Sequence, residues 1–305
     1  MRIAYFEPLS RAWERTRVIL WQPFDLAKWL LLAFSAWLAG LTTDFQIAFS
    51  GADDRSSFGR HAWPLDVHSW DEAFEGFLLL PLIAFGIMFG LAISILVLWV
   101  SSRAKMMFLD GVVMNRVAIS ESWKRLESLG NALFIWRLCF SLAILVTVLV
   151  LMAAFFLPAA GFSMHEVLDS LSAVSAFLGV MALVVLAIVA IYIALLTESF
   201  VVPIMYRYEL NALEGWRAFL PWLKARPLQF VVYGLFVLLL LVLTVGACCF
   251  WCINLLPYIG KAILLPVWVC YRLFSVEFLA QFHPDFDLFR PLPEDAEEAI
   301  TGLAE

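Results

Sequence analysis

Long apolar runs broken by short polar clusters dominate the chain. Six runs reach or approach the roughly 20 residues that cross about 30 Å of hydrocarbon: residues 28–43, 77–101, 133–156, 171–197, 228–256 and 261–282. The first is short at its outer end, and the last contains Pro266 and Arg272. Backbone polar groups in lipid must be satisfied within the segment, so continuous runs of this length predict helices rather than barrel strands. The expected fold is an all-α membrane domain over residues 1–283, followed by a tail over 284–305 that is Pro-rich and then acidic.

The connections carry a repeat. Ser10-Arg11-Ala12-Trp13-Glu14-Arg15, Ser120-Glu121-Ser122-Trp123-Lys124-Arg125 and Leu213-Glu214-Gly215-Trp216-Arg217-Ala218 each open a short amphipathic stretch that leads into an odd-numbered run. In the first, Leu9, Trp13, Thr16 and Leu20 share one helical face and Arg11 and Arg15 another. Such helices suit the headgroup level, with Trp and Leu inward and Arg toward phosphates. Each even run ends in related text: Ser101-Ser102-Arg103-Ala104-Lys105, Thr197-Glu198-Ser199-Phe200 and Ser275-Val276-Glu277-Phe278. The layout predicts three hairpins, each prefaced by an interfacial helix anchored by Trp13 and Arg15, Trp123 and Arg125, or Trp216 and Arg217. The competing reading is that Trp beside Arg or Lys is common near any membrane surface.

Composition agrees: 63% of the 305 residues are hydrophobic and 15% charged, against about 45–50% and 25% in soluble domains. Lys and Arg crowd the N-terminal arm, the second-to-third connection and the fourth-to-fifth, whereas the opposite side holds only Arg55, Arg60 and Lys261. This asymmetry predicts a multi-pass membrane protein with both termini cytoplasmic. Residues 1–22 lack the apolar core and cleavage site of a signal peptide. Anionic lipid headgroups are the expected partners, with protein partners or a second copy beside them; no nucleic-acid partner and no cofactor is expected.

Candidate chemistry is sparse. The central halves of the first five runs lack charged residues and His, and His61, His68, His165 and His283 all lie outside the runs; haem ligation and carboxylate proton relays are disfavoured. His61 and His68 sit among carboxylates, but their spacing matches no metal motif, so a solvated acidic loop is favoured. Arg272 is the exception, roughly 16 Å along the helix from Lys261. Glu277, five residues on, points about 140° away. Together with Glu198 and Arg137 they are candidates for an inward-facing pocket for an anionic headgroup; the alternative is that Arg272 snorkels and Glu277 is interfacial. Cys248, Cys249 and Cys252 place a C-x-x-C spacing at the outer end of the fifth run; plain packing is favoured, with a Cys249–Cys252 disulfide and thiol redox chemistry as the alternatives. Gly86-x-x-x-Gly90 and Ser175-x-x-x-Gly179 are small-residue pairs suited to close helix packing.

With the Trp-basic helices, the three hairpins and Pro23-Phe24-Asp25-Leu26-Ala27-Lys28-Trp29 leading the first run, the chain resembles a loose group of bacterial six-helix membrane proteins. That group includes the membrane module preceding the catalytic barrel of some glycerophosphodiester phosphodiesterases. The resemblance covers most of residues 9–282 and implies a six-helix bundle in the inner membrane. The hydrolase domain is missing, so the phosphodiesterase activity does not carry over. The leading functional expectation is a non-enzymatic membrane subunit that binds lipid and partner proteins. The alternative is a transporter or lipid-handling protein using a pocket around Arg272.

Overall fold

Helices account for every regular element in the computed structural model, which describes residues 4–22, 24–50, 70–115, 119–161, 166–246 and 257–289. In chain order they are α1 (Phe6–Trp21), α2 (Leu26–Ser50), α3 (Trp70–Val113), α4 (Ile119–Arg125), α5 (Glu127–Gly161) and α6 (Glu166–Leu196). A π-helical turn (Thr197–Val201) joins α6 to α7 (Val202–Tyr208). Then come α8 (Ala212–Ala225), α9 (Pro227–Gly246), α10 (Pro257–Ile263), α11 (Leu265–Leu279) and a 3₁₀ turn (Pro284–Phe286).

Among the described residues, five stretches are long and apolar enough to cross a membrane: Leu26–Thr43, Pro81–Val113, Glu127–Phe155, Val174–Tyr208 and Pro227–Thr244. They fall on the first five expected runs. Residues 261–282 fold differently, as the end of α10 and the 15-residue α11. Leu264 breaks the helix where Pro266 follows in the first turn of α11, where a backbone N has no intrahelical partner to lose and a proline is tolerated.

Burial is concentrated at one end of the bundle. With 44 residues, α3 is about 66 Å long, more than twice the hydrocarbon thickness. Its last third (Ser101, Ser102, Met106, Leu109 and Val112) is buried, whereas Leu82, Phe85, Ile87 and Met88 are exposed. The same polarity recurs in α5, where Leu133 is buried and Leu142 and Leu149 exposed, and in α9, where Phe230 and Tyr233 are buried and Leu239 and Leu243 exposed. The packed end is largely aromatic. Phe200 of the π turn lies 5.3 Å from Phe219 of α8 and 4.8 Å from Tyr233 of α9, and Tyr233 lies 4.6 Å from Phe278 of α11 (ring centroids). Each such pair adds about 0.5–1.5 kcal/mol beyond area burial.

The short helices brace this end. α1 packs along α11 through Pro8, Ala12, Thr16, Ile19 and Leu20, a face rotated from the expected one, so Leu9 is only partly buried and Trp13 is half exposed. α8 opens with a capping box formed by Asn211 and Glu214, which satisfies two of its free N-terminal donors. After α11 the chain turns back over α1, where the Gln281 side chain donates to Ala4 O and accepts from Ala4 N, both at 3.0 Å. α2 packs on α3, α3 on α5 and α5 on α6. α9 meets α11 through stacked Tyr233 and Phe274 (5.4 Å) and a Thr244–Tyr271 hydroxyl contact of 2.9 Å.

Candidate functional site

Where the packed end meets the exposed apolar helices, a cavity of about 720 Å³ lies against α2, α3, α5, α6 and the π turn. Its base is charged: Lys105, Arg137 and Glu198 line it, with Thr42 and Thr197 beside them. Toward the far end the lining turns to Gly90, Ser94, Phe140, Ser141, Ile144, Ala190 and Ala194. From Lys105 to Gly90 along α3 is roughly 22 Å, and from Glu198 to Ala190 along α6 about 12 Å. One end of the chamber is therefore ionic and the other apolar, dotted with hydroxyls.

The position of Glu198 follows from a proline five residues downstream. In the π turn the Val202 N–H donates to Thr197 O, so it is not available to Glu198 O as an α-helical partner. The π-helical partner of Glu198 O would be residue 203, and Pro203 has no N–H. The sequence thus strips Glu198 O of both backbone donors. Arg272 Nη1 reaches across from α11 and donates to it at 2.6 Å. The Glu198 carboxylate meets the Lys105 ammonium in an ion pair. The Glu198 side chain is 52% exposed, and it opens onto the chamber it lines. Wide helical turns of this kind recur at functional sites.

Arg137 is held differently. Nη1 donates to Ser102 Oγ at 3.1 Å and to Ser101 Oγ at 3.4 Å, and Nη2 donates to Thr42 Oγ1 at 3.1 Å. These acceptors are neutral, and no carboxylate pairs with Arg137 among the described residues. Arg272 is 8% exposed and, beyond its bond to Glu198 O, its Nε and Nη2 have no hydrogen-bond partner among the described residues. Lys105, Arg137 and Arg272 thus face one carboxylate, leaving two positive charges in excess.

Of the four residues expected to share a pocket, three converge. Arg137 and Glu198 line the chamber, and Arg272 grips the Glu198 backbone from behind. Glu277 lies elsewhere, on the other side of α11, with Oε1 2.6 Å from Arg15 Nε. Arg15 also stacks over Phe289 at 3.8 Å, so this expected interfacial anchor faces protein. Trp216 is buried, 5.8 Å from Trp136, whereas Arg217 is exposed. Trp123 is partly buried and stands edge-on to Trp99 at 6.0 Å. Arg125 pairs with Asp110.

Asp110 carries no signal in the sequence, yet it is buried and ties three elements together. It accepts from Ser122 Oγ at 2.6 Å and from Tyr206 Oη at 2.6 Å, besides its pairing with Arg125. Arg103 makes a second such lock. It donates to Asn131 Oδ1 (3.1 Å) and Glu127 Oε1 (2.7 Å), and its guanidinium lies 4.5 Å from the Trp99 ring centroid. Lys105 is legible in principle, because Gly90, Ser94, Ser101 and Lys105 recur on one face of a helix.

The small-residue pairs divide. Gly179 is buried and Ser175 Oγ donates to Phe155 O at 3.4 Å, so this pair lies against α5. A Cβ built at Gly86 or Gly90 would meet nothing within 4 Å. Cys139 and Cys270 are free thiols. Cys248, Cys249 and Cys252 lie outside the described residues, as do His61, His68, His165 and the tail beyond residue 289.

No curated protein and no solved structure matches the chain. One family model does, over residues 4–264; this match takes in the five apolar helices and the whole chamber lining and stops before α11, leaving Arg272 outside. By that match the chain belongs to the family of unknown function DUF7544.

Proposed function

We propose that this chain is a multi-pass protein of a bacterial inner membrane that holds an amphiphilic molecule, a lipid or a lipid-like compound, in the chamber at the base of its bundle. The observation carrying this reading is the polarity of the chamber: Lys105, Arg137 and Glu198 at one end, and Phe140, Ile144, Ala190 and Ala194 toward the other. The reading is of a binding and handling protein rather than an enzyme. Guanidinium and ammonium groups beside a row of hydroxyls are the chemistry of holding a headgroup.

The topology we propose is six crossings as three hairpins, α2 with α3, α5 with α6, and α9 with α10–α11. Packing of α2 on α3 and of α5 on α6 supports it, as does the aromatic seam between α9 and α11. Residues 257–279 number 23 and would span about 34 Å if collinear. The packed end, with α1, α4 and α8, faces the cytoplasm on this reading, because Lys and Arg concentrate there. α1, α4 and α8 then lie near the headgroups, Arg217 outward toward phosphates.

A second reading, an accessory subunit of a membrane complex, is favoured by the open Gly86–Gly90 face, where another helix could approach closely.

Photo-cross-linking separates them. Full-length protein in vesicles carrying a lipid with a photoreactive tail should be labelled at Phe140, Ser141 and Ile144. Labelling confined to the outward-facing Leu142, Leu145 and Leu149 would overturn the amphiphile reading. Reproducible adducts to another polypeptide at Gly86 and Gly90 would establish the second.

A further inference from the structure

The charges at the base of the chamber do not balance, and the imbalance names the occupant. Lys105 and Glu198 neutralise each other. Among the described residues, Arg137 has only Thr42, Ser101 and Ser102 as hydrogen-bond partners, and Arg272 has only the Glu198 carbonyl. Hydroxyls and a carbonyl orient a guanidinium without cancelling its charge. Leaving such a charge among apolar helices is unfavourable unless an anion completes the site. A planar guanidinium presents paired N–H donors that match two oxygens of a phosphate.

The other end of the chamber specifies how that anion arrives. Ser94, Ser141 and Ala194, which line it, are at least partly exposed, and they lie among outward-facing Leu91, Leu142 and Ile191. Its mouth therefore opens among the side chains that would face lipid. Gly90 stands at that mouth, and beyond its own helix backbone and adjacent residues nothing lies within 4 Å of where a Cβ would be. A hydrophobic tail could lie there and remain continuous with the bilayer while its headgroup reached Arg137.

Resting on the reading that the chamber holds an amphiphile, we infer that its occupant is a single anionic phospholipid, with the phosphate on Arg137 and Lys105 and the tails running past Ser141 and Ile144 to Gly90. Glu198 then plays a second part, because by occupying Lys105 it keeps the base from being so cationic that the site would hold any soluble anion.

Native mass spectrometry of the full chain tests this. The protein is released from mixed micelles holding equal amounts of phosphatidylglycerol and phosphatidylcholine with identical tails. One lipid per chain should be retained, with phosphatidylglycerol preferred by about tenfold or more. Both lipids present the phosphate, but phosphatidylcholine adds a trimethylammonium whose charge opposes the unbalanced guanidinium instead of leaving it compensated. Arg137→Gln should remove most of that preference. Gly90→Leu fills open space, so the delipidated variant should melt no lower than the delipidated native chain while retained lipid falls about tenfold. Retention of one lipid irrespective of headgroup and unaffected by Arg137→Gln would overturn the anionic assignment while leaving the amphiphile reading intact. Displacement of the lipid by inorganic phosphate alone would assign the site to a soluble anion and overturn the lipid. If the native chain retained no lipid and Gly90→Leu changed nothing, both the inference and the reading beneath it would fall.

Discussion

Pro203 and Arg272, on different helices, should be energetically coupled through the one carbonyl they both act on. Glu198 O lacks a backbone donor because Val202 N–H is used by Thr197 O and Pro203 has none, and Arg272 Nη1 supplies the missing donor at 2.6 Å. In Arg272→Met the carbonyl loses its partner. An unsatisfied polar group of this kind costs about 1–3 kcal/mol, and hydrogen bonds measured between membrane helices average about 0.6 and reach about 1.7. Against that loss stands a gain, because Arg272 is buried with Nε and Nη2 unpartnered, and its removal relieves their desolvation. The single mutant is therefore ambiguous. A double-mutant cycle is not, since the relief is common to both backgrounds and cancels. Pro203→Ala restores an N–H five residues after Glu198, within reach of its carbonyl. Arg272→Met should then be less destabilising in Pro203→Ala than in the native chain, with a coupling energy of about 1–2 kcal/mol. Reversible unfolding of the four proteins in lipid–detergent micelles measures it. Additivity within about 0.5 kcal/mol would show that Arg272 does not serve this carbonyl.

Three other outcomes follow from the packing. Gly130→Ala would place a Cβ 2.8 Å from Arg103 Cγ and 3.1 Å from its Cα, so it should displace Arg103 from Glu127 and Trp99 and lower stability by about 1–3 kcal/mol. Gly86→Ala meets open space and should be neutral or stabilising by up to about 1 kcal/mol; thermal unfolding of both variants checks this, and equal effects would contradict it. Asp110→Asn keeps the shape but removes the charge that Arg125, Ser122 and Tyr206 share; a loss of about 1–3 kcal/mol is expected, with Tyr206→Phe losing about 1, and a neutral Asp110→Asn would refute the lock. Arg15→Ala leaves the buried Glu277 carboxylate without its cation and should loosen the packing of α1 on α11, seen as faster amide exchange over residues 8–20, whereas Arg11→Ala, whose pairing with Glu7 is exposed, should not.

The apolar runs make the five long helices legible, because hydrophobicity sustained over twenty residues has few other outcomes. Arg272 stands out for the same reason, as a charge in an apolar stretch, and Glu198 is a natural partner. Three things are less visible. The link between them runs through a backbone carbonyl, and only the five-residue spacing from Glu198 to Pro203 hints at it. Lys105 and Arg125 look like parts of a basic fringe because local sequence cannot tell a cation facing phosphates from one facing Glu198 or Asp110. Glu277 looks like a pocket residue until the return of α11 along α1 supplies Arg15 from more than 250 positions away. Residues 261–282 read as one run, and Pro266 divides them.

The most direct measurement is a map of the full chain in a lipid bilayer at a resolution that shows bound lipid. A headgroup-sized density should sit against Arg137 and Lys105 and continue as a tail past Ser141 and Ile144 to Gly90. Separate water-like peaks around those residues, with no tail and an opening to the aqueous phase, would contradict it.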